Sequence, residues 1–259
     1  NTPNISQLRY YLLDKITYNI NAAEGKIVSS NKMPRRYLSV LMNVGDTSFT
    51  SNNNYDYTTF PAGSMIALED NYNSMRRDLW LATDFAYKVS LDLYRSKKDG
   101  LNRANLSQEE SDLNDFIPVK QVVNASFTNN ERFKSLDDLS SLATELSSII
   151  STGGVIFESS VDLDAVDQVN YIVSIEGSRI KEPLGYISVV VQGKVRLADD
   201  KVFHNSETIV VPFRNDNIVK DYLMKRVKDF TESLTSIRES RQMDEDYVGP
   251  VLFEESAAA

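Results

Sequence analysis

One histidine, His204, and no cysteine at all limit what this chain can catalyse with its own side chains. Without thiols, these residues hold no disulfide, no thiolate nucleophile and no cysteine-based metal site. A histidine–carboxylate pair of the general-base kind could be built only around His204. Nothing near it in sequence forms a nucleophile elbow or a ligand series, so His204 is expected to be structural or exposed. Carboxylates are plentiful but ordinary in spacing. Glu109, Glu110, Asp112 and Asp115 make a short acidic cluster that lacks the pattern of a calcium loop, and a solvated loop accounts for them. The tract 47–60 is loaded with Ser, Asn, Tyr and Asp and has no core pattern. It reads as a long surface loop, and within it Tyr55 and Tyr57 are the aromatic rings that could stack on a ligand.

Whatever these residues do, the stretch 68–100 should organise the scaffold beneath them. Leu68, Tyr72, Met75, Leu79, Ala82, Ala86, Val89 and Leu93 recur at steps of four and three, the spacing of one helix face. Trp80, Tyr87, Leu91 and Tyr94 add a second stripe. The pattern predicts a core helix over 70–98, capped by Asp70 and stopped at Asp99-Gly100, with Met75, Leu79, Ala82, Ala86 and Val89 inaccessible and Trp80 packed inside. Asp84, Lys88 and Asp92 lie four apart on the remaining face, where they can pair in water.

Strand patterns flank this helix. Ile16, Tyr18, Ile20 and Ala22 alternate with polar residues, Glu24-Gly25 reads as a turn, and 26–30 returns; 37–44 alternates again, completing an antiparallel meander. A second helix is expected over 130–150, with Ser135 and Asp138 as a partial capping signal. Gly153-Gly154 then opens a half made mostly of strand. Residues 161–165 and 169–175 alternate, Glu176-Gly177 is a turn candidate, and 186–197 with 202–211 form a hairpin turning at Asp199-Asp200. A last amphipathic helix covers 215–241. Strands grouped apart from helices predict an α+β fold, antiparallel sheet packed by long amphipathic helices, rather than a parallel βαβ arrangement.

Composition narrows the function classes. Of the 259 residues, 41% are hydrophobic and 25% charged, and no run reaches the roughly 18 apolar residues of a membrane span. A net charge of −9 argues against a phosphate-tracking surface, so no nucleic-acid partner is expected. The first residue is Asn1 rather than Met, which favours an exported protein, periplasmic or extracellular, over a cytoplasmic one.

Three stretches resemble one family. Asp70-Asn71-Tyr72-Asn73-Ser74-Met75-Arg76-Arg77-Asp78-Leu79-Trp80-Leu81-Ala82-Thr83-Asp84-Phe85-Ala86-Tyr87-Lys88 is similar to the central helix of exported TldD/PmbA-like proteins. Glu176-Gly177-Ser178-Arg179-Ile180 resembles their "SEGTRI" turn, and Tyr247-Val248-Gly249-Pro250-Val251-Leu252-Phe253-Glu254 their "Y-x-GPVLFE" segment, with small residues following at Ala257-Ala258-Ala259. The resemblance implies the N-terminal half of a longer protein of peptidase type. Residues 1–246 would form the N-terminal α+β domain, with a sub-boundary near 152, and 247–259 would begin a mainly β C-terminal domain.

In that family, paired subunits process peptides in a shared cleft, and the catalytic subunit carries a His-Glu-x-x-x-His zinc motif just after this segment. There the histidines hold the ion, which activates a water, and the Glu takes its proton. Laid on this chain, the histidine columns fall on Glu254 and Ala259 and only the Glu column matches, at Glu255. Glu255 is therefore the one catalytic residue the resemblance offers, no metal ligand is implied, and the pattern is that of a PmbA-type, metal-free member. Two early-helix carboxylates at the positive helix end would look the same. The implied role is scaffold and peptide-substrate binding, without zinc in this part. The implied partners are the chain's own C-terminal domain and a TldD/PmbA-like subunit in a homo- or hetero-oligomer. The alternatives are a zinc metallopeptidase whose ligands lie wholly in a C-terminal half, and a non-enzymatic surface-binding protein using the 47–60 loop. The family's association with DNA gyrase modulation finds no support in so acidic a composition.

Overall fold

The alternating runs on either side of Glu24-Gly25 form a single long hairpin. In the computed structural model, which describes residues 3–51, 64–103, 123–126, 135–150, 154–197, 200–212, 217–239 and 248–252, β1 (Ile5–Ala23) pairs antiparallel with β2 (Lys26–Val44) along nearly its whole length. Glu24 and Gly25 both adopt positive φ, 51° and 70°, the turn geometry whose twist matches that of the strands it joins. A two-residue β3 (Ser64–Met65) adds to β2 at Tyr37 and Leu38.

The second half of the chain joins the same sheet. β5 (Ile156–Ser174) pairs antiparallel with β1, turns through Glu176-Gly177 (Gly177 φ 98°), and continues as β6 (Arg179–Arg196). The outer edge of β6 is shared. β7 (Val202–Pro212) runs antiparallel along Tyr186 to Arg196, while the three-residue β4 (Asn124–Ser126) runs parallel along Arg179 to Lys181. The result is one mixed, seven-stranded sheet in the order β3-β2-β1-β5-β6, with β4 and β7 outermost. The expected α+β class holds.

Strand register shows that the three helices share one face. Even-numbered residues of β1 face α1 (Tyr72–Arg103) at the end of the sheet near Gly177, and α2 (Leu136–Ile149) and α3 (Asn217–Ser236) at the end near Gly25. At the Gly25 end, Tyr18, Ile20, Val161, Leu163, Val189 and Val191 lie beneath Leu139, Leu146, Leu223 and Leu234. Gly193 is needed there, because a Cβ would lie 2.3 Å from Leu234 Cδ2. At the Gly177 end, Leu8, Leu38, Val40 and Met42 meet, among the described buried residues, Ala82 and Ala86, with Leu79 and Tyr87 at the margin. Ser135 caps α2 as its sequence predicts, with Oγ accepting from the Asp138 amide at 3.1 Å and donating to Asp138 Oδ2. No helix among the described residues is long and apolar enough to cross a membrane.

Several expectations for α1 are corrected. Ala82 and Ala86 are buried, but Met75, Leu79 and Val89 are only partly so, and Trp80 is 64% exposed. The helix crosses the outer side of the sheet over β2 and β1, so a wide apolar sector has too little sheet beneath it. Asp70 does not cap the helix. It pairs with Arg36, and Asn71 Oδ1 accepts instead from the amides of Asn73 and Ser74. Asp99-Gly100 does not end the helix either, since in a solvent-facing last turn glycine costs only about 1 kcal/mol relative to Ala. The start of the 47–60 tract is likewise not surface loop. Phe49, Thr50 and Ser51 are buried, with the Phe49 ring edge-on to Tyr94 at 5.0 Å.

Candidate functional site

Residues singled out from sequence divide sharply. Tyr55, Tyr57, Glu254, Glu255 and Ala259 lie outside the described residues. His204 stands exposed on β7 opposite Lys194. Among the described residues no three His, Cys, Asp or Glu side chains come together as a metal cluster. The arrangement that does come together was not read from sequence as a site.

It begins at a buried cation. Arg36 is 7% exposed although its strand register, with Leu38, Val40 and Met42, points it at the helices. Its Nη2 donates to Asp14 Oδ2 at 3.0 Å and to Asp70 Oδ1 at 2.9 Å, and Nη1 reaches the Ala67 carbonyl. Burial works against the charge, but the hydrogen bonds donated to Asp14 and Asp70, with the attraction of their negative charges, outweigh it and hold the guanidinium pKa above its ordinary value. This network ties the start of α1 to β1 and β2. One signal was available in the sequence: Asp14 interrupts the series Leu8, Tyr10, Leu12, Ile16, Tyr18 on the buried register, and such a charge needs a partner.

Beyond this anchor no helix among the described residues lies over the helix-side face of the sheet. α1 stops over β1, where the Tyr10 hydroxyl meets Thr83 Oγ1 at 2.8 Å; α2 and α3 lie at the other end. Asp78 holds the amide of Ala67 on the β3 side of α1, so helical periodicity turns Trp80 and Tyr87 to the β5 side. Between them and the outer edge runs an open cleft of about 660 Å³ lined by Tyr171, Val173, Gly177, Arg179, Lys181 and Asn124, among others. Register makes its floor explicit. Tyr10, Val173, Arg179 and Asn124 form one row across β1, β5, β6 and β4, and Leu12, Tyr171 and Lys181 form the next.

The cleft is cationic and partly aromatic. Lys181 Nζ lies 5.9 Å from the Tyr171 ring centroid. At the turn below, the Ser174 hydroxyl holds the Glu176 carboxyl below its ordinary pKa, with Arg9 adding to the effect. The Ser178 hydroxyl accepts from the Val123 amide, and the Arg179 amide donates to the Val123 carbonyl at 2.9 Å, which fixes β4 beside the cleft. Such a site can hold an anionic group next to an apolar one. Its described lining residues include no carboxylate, imidazole or thiol.

No family model and no curated protein sequence matches the chain. Solved structures do. A Thermotoga maritima protein described as a candidate modulator of a DNA gyrase superposes at TM-score 0.51 and 10% identity, over 92% of this chain and 46% of that one. A Bacteroides thetaiotaomicron protein of the same description gives 0.44 at 9% identity (87% of this chain, 46% of that one), and TldE from Thermococcus kodakarensis 0.41 at 7% (87% and 44%). This chain thus spans about half the length of the proteins it resembles. At such identities the likeness speaks for architecture alone. The chain has the α+β fold of PmbA/TldD-like proteins.

Proposed function

We propose that this chain is the N-terminal scaffold and substrate-binding half of a PmbA/TldD-like protein of peptidase type, and that it has no zinc site of its own. The observation that carries the reading is the fold correspondence, 92% of this chain on 46% of the Thermotoga maritima protein. Composition supports the second part, since zinc needs about three or four converging N, S or carboxylate ligands and this chain has one imidazole and no thiolate. Docking of a following β-rich domain is supported by the segment matching "GPVLF". Val248, Val251 and Leu252 are 95%, 62% and 82% exposed there, an apolar run with nothing packed on it among the described residues.

Zinc content and peptide hydrolysis test the reading. Residues 1–259 purified after chelator dialysis and zinc reloading should hold no stoichiometric zinc and cleave no peptide. They should self-associate in sedimentation velocity through the exposed segment, and Val251→Asp with Leu252→Asp should suppress this. Stoichiometric zinc lost on Glu254→Ala and Glu255→Ala, or metal-dependent hydrolysis by this chain alone, would sink the proposal.

A further inference from the structure

Arg179 and Lys181 are set apart by their place, since both rise from the helix-side face of the β6 segment that lines the cleft. A lack of a carboxylate partner is shared by most of the described Lys and Arg side chains. Arg36, Lys88, Arg95, Lys194, Arg196, Lys220 and Arg226, by contrast, each lie within 4.0 Å of a carboxylate. Arg179 and Lys181 have no such partner among the described residues. The neighbouring Glu182 is on the opposite face of β6, where Asn170 Nδ2 donates to it. Two residues apart on one strand, the two cations start about 7 Å from each other on the same face, close enough for both long side chains to reach one anion.

Their surroundings define that anion further. Val173 is 44% exposed beside Arg179, and Tyr171 is half-buried beside Lys181. Asn124 adds an amide from β4 on the row of Arg179. The floor from β1 to β4 is about 14 Å wide, three strand spacings, which admits an extended peptide but is open for a small ion. A guanidinium and an ammonium flanking a valine and a tyrosine match a carboxylate carried on an apolar side chain or chain end. We infer that the cleft formed by Tyr171, Val173, Arg179, Lys181 and Asn124 binds a carboxylate-bearing apolar peptide segment, Arg179 and Lys181 taking the carboxylate and Tyr171 and Val173 the adjoining side chain. The inference rests on the peptide-binding reading above and gives that reading a specificity.

Fluorescence anisotropy with the full chain tests it, using a fluorescein-labelled hexapeptide ending Ala-Leu-Phe with a free carboxylate, its C-terminal amide, and the amide with Glu as penultimate residue. The free acid should bind about tenfold more tightly than the plain amide, as expected for a charge-assisted pair, and added salt should narrow the gap. If the Glu-containing amide recovers the affinity, the carboxylate is read from a side chain; if not, it is read at a chain end. Arg179→Gln with Lys181→Gln should abolish the preference for acid over amide while leaving the melting temperature unchanged. Lys32→Gln with Arg35→Gln, on the far edge of the sheet, should leave the preference intact. Equal binding of acid and plain amide, or a preference that survives in the Arg179/Lys181 double variant, overturns the inference. Either failure leaves the scaffold reading standing, because that reading is tested by zinc content and hydrolysis.

Discussion

The two ends of this one sheet face carry similar alternating sequence and have very different cores. Among the described residues, α2 and α3 enclose a cluster of twenty-one buried residues at the Gly25 end, and α1 covers one of six at the Gly177 end. The longest helix in the described structure therefore contributes least to the interior, burying only Ala82, Ala86 and Ser90. The fourteen-residue α2 buries Leu139, Ala143, Leu146 and Ser147. Apolar periodicity says which face of a helix can be buried, but how much of it is buried depends on the strands beneath. The well-covered end holds most of the described core, and at the sparsely covered end part of the sheet face has no described helix over it.

Truncation on either side should break or confirm this contrast with the largest effect. Leu146 and Leu234 are fully buried beneath and between the helices at the Gly25 end. Leu146→Ala and Leu234→Ala should each cost about 3 kcal/mol, the usual range for a buried leucine being about 2–5. Trp80→Ala, removing a larger side chain that is 64% exposed, should cost less than about 1 kcal/mol. Urea denaturation of the three variants checks the ordering. A Trp80 variant as unstable as the leucine variants would mean that the Gly177 end carries a core of its own.

The anchor of α1 comes next. Arg36→Met removes the guanidinium and leaves the Asp14 carboxylate, 33% exposed by side chain, facing apolar neighbours. Breaking a buried pair by deleting one partner costs about 3–5 kcal/mol. Asp14 keeps some water and the other partner, Asp70, is 86% exposed, so the expected loss is about 2 kcal/mol. Hydrogen exchange should show the loss first in α1, with α2 and α3 still protected. Uniform loss across all three helices would show that the two ends do not open separately.

Much of this frame is legible in the residues. The turns at Glu24-Gly25 and Glu176-Gly177 and the cap at Ser135 stand where local chemistry puts them, because each is decided by a few neighbouring atoms. What escaped reading depends on distant partners. Residues 26–30 and 37–44 look like two strands because Pro34 and the polar residues around it interrupt the alternation. On an edge strand with β1 as its main partner, a proline costs no ladder bond that the sheet needs, and β2 runs through. Asp70 looks like a cap until Arg36 arrives from another strand to claim it. The cleft was invisible for the same reason. Tyr171 and Val173 continue the alternation of β5 as though they were core, and only the placement of the helices shows that none of the described ones packs on them. The basic residues Arg179 and Lys181 were the one local hint, lying on the same register as Ile187 and Val189 yet unsuited to a dry interior.

The smallest expected effect is local to the well-covered end and concerns strain rather than packing. Glu24 sits at φ 51°, a left-handed conformation that costs an ordinary side chain more than it costs Asn. Gly25 beside it, at φ 70°, is held from two sides. Its amide donates to Ser147 Oγ at 3.1 Å, and a Cβ at Gly25 would lie 2.6 Å from Ser148 Oγ. The turn is therefore docked against the end of α2 and cannot relax by moving. Glu24→Asn installs the Asn-Gly pair that this turn geometry favours and leaves the docking contacts untouched, so it should raise stability by about 0.5 kcal/mol. Glu24 is exposed and makes no ion pair in the described structure, so little is lost in exchange. A matched thermal melt would read the gain as a small rise in Tm. No change, or a fall, would mean that the hairpin tip is not held in this geometry against α2, and the contrast between a rigid Gly25 end and an open Gly177 end would lose one of its supports.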